Sequence, residues 1–159
     1  GTNPSVKTVY IYDSNCFYFP LRLQNFFPDL QGIKIQSSQL TEVKRDDLKE
    51  YTNLRILNLF DNEIQFLESN LFEFVPKLEL IWLDSNKIAH IDANVFNNFV
   101  GKLSHLYLSD NICQFENAHD DKSKANQIIE KVQSGFCINE TLLPATIILA
   151  PTTTTAMPA

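Results

Sequence analysis

Glycine, cysteine, methionine and tryptophan are all scarce in these 159 residues, which hold four, three, one and one of them. With so few glycines there is no Gly-rich loop to bring backbone against a phosphate, and no Ser/His/Asp set carries a nucleophile elbow. The three cysteines form no pair at metal-finger spacing. Basic residues are outnumbered 13 to 19, leaving a formal charge of -6 and a pI near 5.0. No basic run offsets this, so a surface that tracks a nucleic-acid backbone by displacing its counterions is excluded. Long apolar runs are missing too: Leu142–Ala150 is interrupted by Pro144 and falls far short of the roughly 20 residues a membrane span needs. The three histidines lie apart. The HDD trio at 119–121 has no second ligand cluster, and its charges suit a helix start better than a metal. Neither an enzyme nor a cofactor is expected. What the chain does have is 44% hydrophobic residues, ample for a core in one domain of this size.

Those residues are distributed by a rule. LNLFDNEI at 57–64 returns as IWLDSNKI at 81–88 and as LYLSDNIC at 106–113. Leu54, Leu57, Leu59, Asn62, Ile64, Leu67, Phe72 and Val75 align with Leu78, Ile81, Leu83, Asn86, Ile88, Ile91, Phe96 and Phe99, a step of about 24 residues. The same ruler finds Leu30, Ile33, Ile35, Ser38 and Leu40, before them Val6, Val9, Ile11, Ser14 and Cys16, and after them Leu103, Leu106, Leu108, Asn111 and Cys113. One extra residue falls near Gly101, which tolerates the backbone adjustment. Each step pairs a short alternating stretch, as in a half-buried strand, with apolar residues too far on to share that strand.

The pattern LxxLxLxxNxL over residues 6–113 resembles the leucine-rich repeats of the 24-residue class common in extracellular proteins, and short secreted insect proteins most of all. The resemblance implies an α/β solenoid of about five repeats: a leucine-rich-repeat horseshoe with a parallel β-sheet on its concave face and a C-terminal capping helix. It further implies that Asn62, Asn86 and Asn111 bond the backbone of adjacent turns as a ladder. Ser38 and Ser14 would do so only partly and leave the N-terminal repeats looser. Phe72, Phe96, Val75 and Phe99 are expected to fill the core from the convex side.

The ends follow from the same comparison. Residues 1–5 read as a leader or remnant, 6–113 as the repeats, 114–143 as a cap and 144–159 as a Thr/Pro-rich tail that is either an extended glycosylated stalk or a disordered end. Within the cap, Asp120–Gln133 places Ala125, Ile128, Ile129 and Val132 on one helical face, with Gly135 as a stop. Secreted repeat proteins pin such caps with disulfides, usually with four cysteines. Here Cys113 and Cys137 bracket the helix and are expected to pair by position. Cys16 stands where Leu40, Ile64 and Ile88 stand, which suits a buried free thiol, while an intermolecular disulfide is the alternative. Four strand spacings, about 19 Å, separate it from Cys113, beyond the ~7 Å a disulfide spans between Cα atoms. Asn139 is the acceptor of a single N-glycosylation sequon, which points with the cysteines to a secreted or cell-surface setting.

The drifting letters carry the function. Three outward columns run across the expected sheet: Thr8, Gly32, Ile56, Leu80 and His105; Tyr10, Lys34, Asn58, Trp82 and Tyr107; Tyr12, Gln36, Phe60, Asp84 and Ser109. Ile56, Phe60, Leu80, Trp82 and Tyr107 would form one apolar patch, with Tyr10, Tyr12 and His105 further along the same face and Arg55, Glu79, Asp61, Asp84 and Asp110 as its rim. Core packing does not call for these side chains, although cross-strand pairing alone could use them. The expected function is non-catalytic recognition of a protein ligand through this face. The alternative is a structural component that forms homo- or hetero-oligomers through its N-terminal edge, Cys16 or the tail.

Overall fold

The computed structural model describes residues 1–138; Asn139 and the tail lie outside the described residues. In chain order the elements are β1 (Thr8–Tyr12), a 3-10 turn at Leu23–Asn25, β2 (Gly32–Gln36), α1 (Arg45–Leu48), β3 (Ile56–Asn58), β4 (Phe66–Leu67), β5 (Leu80–Trp82), β6 (His90–Ile91), a 3-10 turn at Asn97–Phe99, β7 (His105–Tyr107) and α2 (Lys122–Gln133). Strands β1, β2, β3, β5 and β7 make one parallel sheet in that order, enclosing about four turns of a solenoid. Val9 pairs with Ile33, Ile33 with Leu57, Leu57 with Ile81, and Ile81 with Leu106. A fixed repeat length thus converts each column of letters into a column in space. The inward members Ile33, Ile35, Leu57, Leu59, Ile81 and Leu106 are fully buried.

The turn after each strand is held by the asparagines. Asn86 donates through Nδ2 to the carbonyls of Leu59 at 2.9 Å and Leu83 at 3.1 Å and accepts at Oδ1 from Ile64 N–H at 3.1 Å. Asn62 and Asn111 repeat the arrangement one turn to either side. Ser38 is too short to reach the backbone of the adjacent turn as an asparagine does, and meets only the Ser14 hydroxyl there, at 3.5 Å. Its hydroxyl donates to the carbonyl of Gln36 at 2.6 Å, and Cys16 N–H bonds the Ser38 carbonyl directly at 2.9 Å. The residue before each ladder position, Asp13, Ser37, Asp61, Ser85 and Asp110, has a left-handed backbone with φ of 48, 49, 55, 55 and 54°. Short polar side chains tolerate that region better than other L-residues, which accounts for the Asp/Ser alternation in the column.

Behind the sheet, Phe72 stacks on Phe96 at 5.7 Å between ring centroids and meets Phe99 edge-on at 5.9 Å, all three essentially fully buried. Strands β4 and β6 pair in parallel on this side as a second small sheet. His90 is a buried member of β6, with its ring 5.0 Å from that of Phe66. Gly101 sits at φ 74° at the insertion, and its N–H donates to Asn126 Oδ1 at 2.8 Å, fastening the fourth turn to α2.

At the C-terminal end Asp121 caps α2 by accepting from Lys124 N–H at 2.9 Å. Ala125, Ile128, Ile129 and Val132 turn inwards, and Gly135 ends the helix at φ 81°. Cys113 and Cys137 are bonded across it with Cα atoms 5.7 Å apart, and Cys137 C=O receives Ile91 N–H at 2.9 Å, so the bridge also extends the edge of the second sheet. Replacing Cys113 with Ser is expected to loosen α2 before the repeats and to cost about 2 to 5 kcal/mol, read as a lower thermal midpoint with early loss of helical signal. At the opposite end Val9 and Ile11 are only half-buried, because β1 has a neighbour on one side alone. Cys16, expected to be buried, is half-buried for the same reason. It is a free thiol bonded to the carbonyl of Tyr18 at 3.4 Å, and what burial it has pushes its pKa up.

Candidate functional site

Alternation turns Ile56, Asn58, Leu80, Trp82, His105 and Tyr107 to the outer face of the sheet, and register sets them side by side: Ile56 against Leu80 against His105, and Asn58 against Trp82 against Tyr107. Phe60 follows β3 on the same face. Trp82 lies at the centre, stacked on Tyr107 at 4.5 Å between centroids and meeting Phe60 edge-on at 5.9 Å. Ile56, Phe60, Leu80, Trp82 and His105 are half-buried, so their upper surfaces meet solvent. Tyr10 and Tyr12 are 57% and 60% exposed and lie 5.9 Å apart, with Tyr10 Oη donating to Gln36 Oε1 at 2.6 Å. They form a separate pair at the N-terminal end, divided from Trp82 by the strands that carry Lys34 and Asn58.

Asn58, at 4% exposed, Tyr107 and Asp84 are less exposed than their outward columns suggest. Tyr107 is only 8% exposed, because the segment leading into the cap folds over it: Ala118 pairs antiparallel with Leu106, and His119 Nδ1 bonds the Tyr107 hydroxyl. Asp84, expected on the rim, is 7% exposed beneath the aromatic cluster. Its carboxylate accepts from Ser109 N–H at 2.8 Å, Asn117 Nδ2 at 2.9 Å and Trp82 Nε1 at 3.1 Å. The remaining rim is as the columns indicate. Arg55 Nε and Glu79 pair at 3.0 Å on one side, and Asp61 and Asp110 are exposed on the other. Asn117 was invisible as a site residue in the sequence, where nothing but its place before a helix marks it, and His119 stood out there only as part of the HDD trio.

Burial raises the Asp84 pKa and the nearby Asp110 adds to the rise, while the three donors oppose it; the net direction is up. A carboxyl whose folded pKa exceeds its unfolded one contributes stability below the unfolded value, and that contribution is lost as pH rises through the folded value. Because its partners are all donors, loss of the Asp84 charge on protonation weakens the bonds they make, the indole bond among them. Trp82 emission is therefore expected to change during acidification at a pH above the ordinary carboxylate range, as a fluorescence titration would record.

Parallel in-register strands, an asparagine ladder and a phenylalanine spine define a leucine-rich-repeat solenoid, and comparison agrees. The chain carries leucine-rich repeats: the family model described as leucine rich repeat matches residues 28–88. Human leucine-rich repeat-containing protein 3B is 32% identical over 72 residues, covering 45% of this chain and 28% of that protein. Mouse transforming growth factor beta activator LRRC32 is 38% identical over 61 residues, 38% of this chain and 9% of its own. The chain thus matches less than a third of the length of these curated relatives. Among solved structures, the Drosophila Toll–Spatzle complex contains a chain that superposes with a TM-score of 0.62 at 18% identity, covering 69% of this chain and 14% of that one. A chain of the Latrophilin 3, Unc5D and FLRT2 octamer gives 0.52 at 24%, covering 69% and 39%. One from a TLR13–ssRNA13 complex gives 0.54 at 24%, covering 77% and 16%. Two of these assemblies are between proteins and one holds RNA, so the shared fold leaves the class of ligand to be argued from the surface. Among the described residues no helix is long and apolar enough to cross a membrane, and no group of three His, Cys, Asp or Glu could hold a metal.

Proposed function

We propose that this protein is an extracellular, non-catalytic recognition module that binds a protein partner through the concave face of its sheet, over Ile56, Phe60, Leu80, Trp82 and the cap-side edge at Tyr107 and His105. The observation that carries this reading is the half-exposed aromatic cluster centred on Trp82. Its side chains are not part of the core, yet they are held in place before any partner arrives, which lowers the ordering cost of binding. The assemblies formed by Toll and FLRT2 support a protein as the ligand, and the charge of -6 argues against nucleic acid. The disulfide supports an oxidising setting.

Replacing Phe60 and Trp82 together with Ser is the test. The double variant is expected to keep the wild-type far-ultraviolet spectrum and melt cooperatively, at a somewhat lower temperature because Phe60 and Trp82 are half-buried and Asp84 loses the indole as a donor. It should fail to capture proteins that the wild type retains from extracellular fluid, because a central aromatic anchor commonly accounts for about 2 kcal/mol or more of binding. Capture that is unchanged would exclude this face as the site.

A second reading, self-association through the first repeat, is favoured by the exposure of Tyr10, Tyr12, Phe17, Tyr18, Leu21 and Phe26 at that end. Light scattering with and without reductant separates the two. A monodisperse monomer contradicts assembly, and a reductant-sensitive dimer would place Cys16 in its interface.

A further inference from the structure

The cap and the aromatic cluster share one hydrogen-bonded link. Asn117 lies at the free edge of β7, where its Oδ1 accepts from Leu108 N–H at 2.8 Å and Ser109 N–H at 3.0 Å, as a further strand would. Its Nδ2 donates to Asp84 Oδ2 at 2.9 Å and to Ser109 Oγ at 3.0 Å. The same Asp84 oxygen receives Trp82 Nε1, while the other oxygen takes Ser109 N–H. Four residues before Asn117 is Cys113, bonded to Cys137. Two residues after it, His119 holds the hydroxyl of Tyr107, the ring on which Trp82 stacks. The indole is thus reached from the cap by two routes, one through its N–H and one through its stacking partner. An indole free to rotate about its side-chain torsions would have to be ordered anew at each encounter; one tied at its N–H and stacked on one face does not.

We propose that the C-terminal cap sets the conformation of the recognition surface: Asn117 fixes Asp84, Asp84 fixes the Trp82 indole, and His119 fixes Tyr107, so that a cap displaced from β7 leaves the aromatic cluster unformed. Asp84, Asn117 and His119 are then positioning residues, acting on a partner through Trp82 and Tyr107. This regulation rests on the concave-face reading for its use in binding, but the linkage is measurable without a partner. A carboxylate at 84 is required because all three of its neighbours are donors; the amide of Asn would turn a donor towards at least one of them.

Trp82 is the one tryptophan of the chain, so its emission reports on the cluster alone, and the probe is acrylamide. In Asn117→Ala, with far-ultraviolet circular dichroism unchanged, Trp82 emission is expected to move to longer wavelength and acrylamide quenching to increase. Asp84→Asn should reproduce both changes, and the pair Asn117→Ala with Asp84→Asn should go little further than either alone, since they break one chain of bonds. An additive pair, or an emission spectrum in Asn117→Ala identical to the wild type, overturns the linkage. If Asn117→Ala does not fold, His119→Phe gives the same reading, because it keeps a ring beside Tyr107 and removes only the bond; an unaltered spectrum there overturns the second route. Capture by the Phe60 and Trp82 double variant is a separate measurement, so the concave-face reading can fail while the linkage stands, and the reverse.

Discussion

Asn86→Leu is expected to destabilise the protein by about 2 to 3 kcal/mol, although it preserves side-chain size and adds apolar surface. The substitution strands Ile64 N–H and removes one of two asparagine donors from each of the carbonyls of Leu59 and Leu83, all inside the solenoid. A buried polar group left without a partner costs about 1 to 3 kcal/mol, and Ile64 N–H is so left, while the Leu59 and Leu83 carbonyls keep Asn62 and Asn111 as donors. Ser38→Ala is the internal contrast. It deletes the hydroxyl bond to the Gln36 carbonyl and the long 3.5 Å contact with the Ser14 hydroxyl, and the backbone bond from Cys16 to Ser38 survives it, so about 1 kcal/mol is expected. Chemical denaturation of both variants against the wild type provides the comparison. Equal losses would mean that the amide ladder contributes no more than a single buried hydroxyl.

Phe72→Ala should cost about 3 to 5 kcal/mol, the usual range for removing a buried aromatic ring. The value should fall at the upper end, because Phe72 contacts both Phe96 and Phe99 and is buried between two turns of the coil. In a solenoid each repeat is stabilised mainly by its neighbours, so a defect in the third turn weakens two interfaces. The loss should therefore appear as a lower midpoint for the whole chain. Retention of the far-ultraviolet spectrum with an unchanged midpoint would show that the convex side is not packed as described.

Much of this was readable from the letters because a repeat makes many weak signals coincide. Leu57, Ile81 and Leu106 share a column whose periodicity no single strand of three residues could have established, and Asn62, Asn86 and Asn111 announced the turns. What escaped was set by contacts between parts of the chain without a common period. Asp84 occupies an outward column and reads as a rim charge, but the bulk of Trp82 above it and the arrival of Asn117 from the cap enclose it. Tyr107 is covered by the same segment, whose antiparallel pairing at Ala118 has no repeat letter to betray it. Cys16 occupies a core column, yet the column ends there, and a residue on the last turn cannot be buried from both sides. The left-handed residues before the ladder could have been found, since Asp or Ser recurs at 13, 37, 61, 85 and 110, short polar types suited to a positive φ.

Amide hydrogen exchange of the protein, free and bound to a captured partner, tests most directly whether the half of the sheet around Trp82 is the binding surface. Slowed exchange is predicted in β3, β5 and β7 and in residues 114–120, with β1 and the rest of the first repeat, residues 16–27, unchanged. Protection confined to residues 8–27, with β5 and β7 exchanging as in the free protein, would contradict the account and assign the interface to the first repeat.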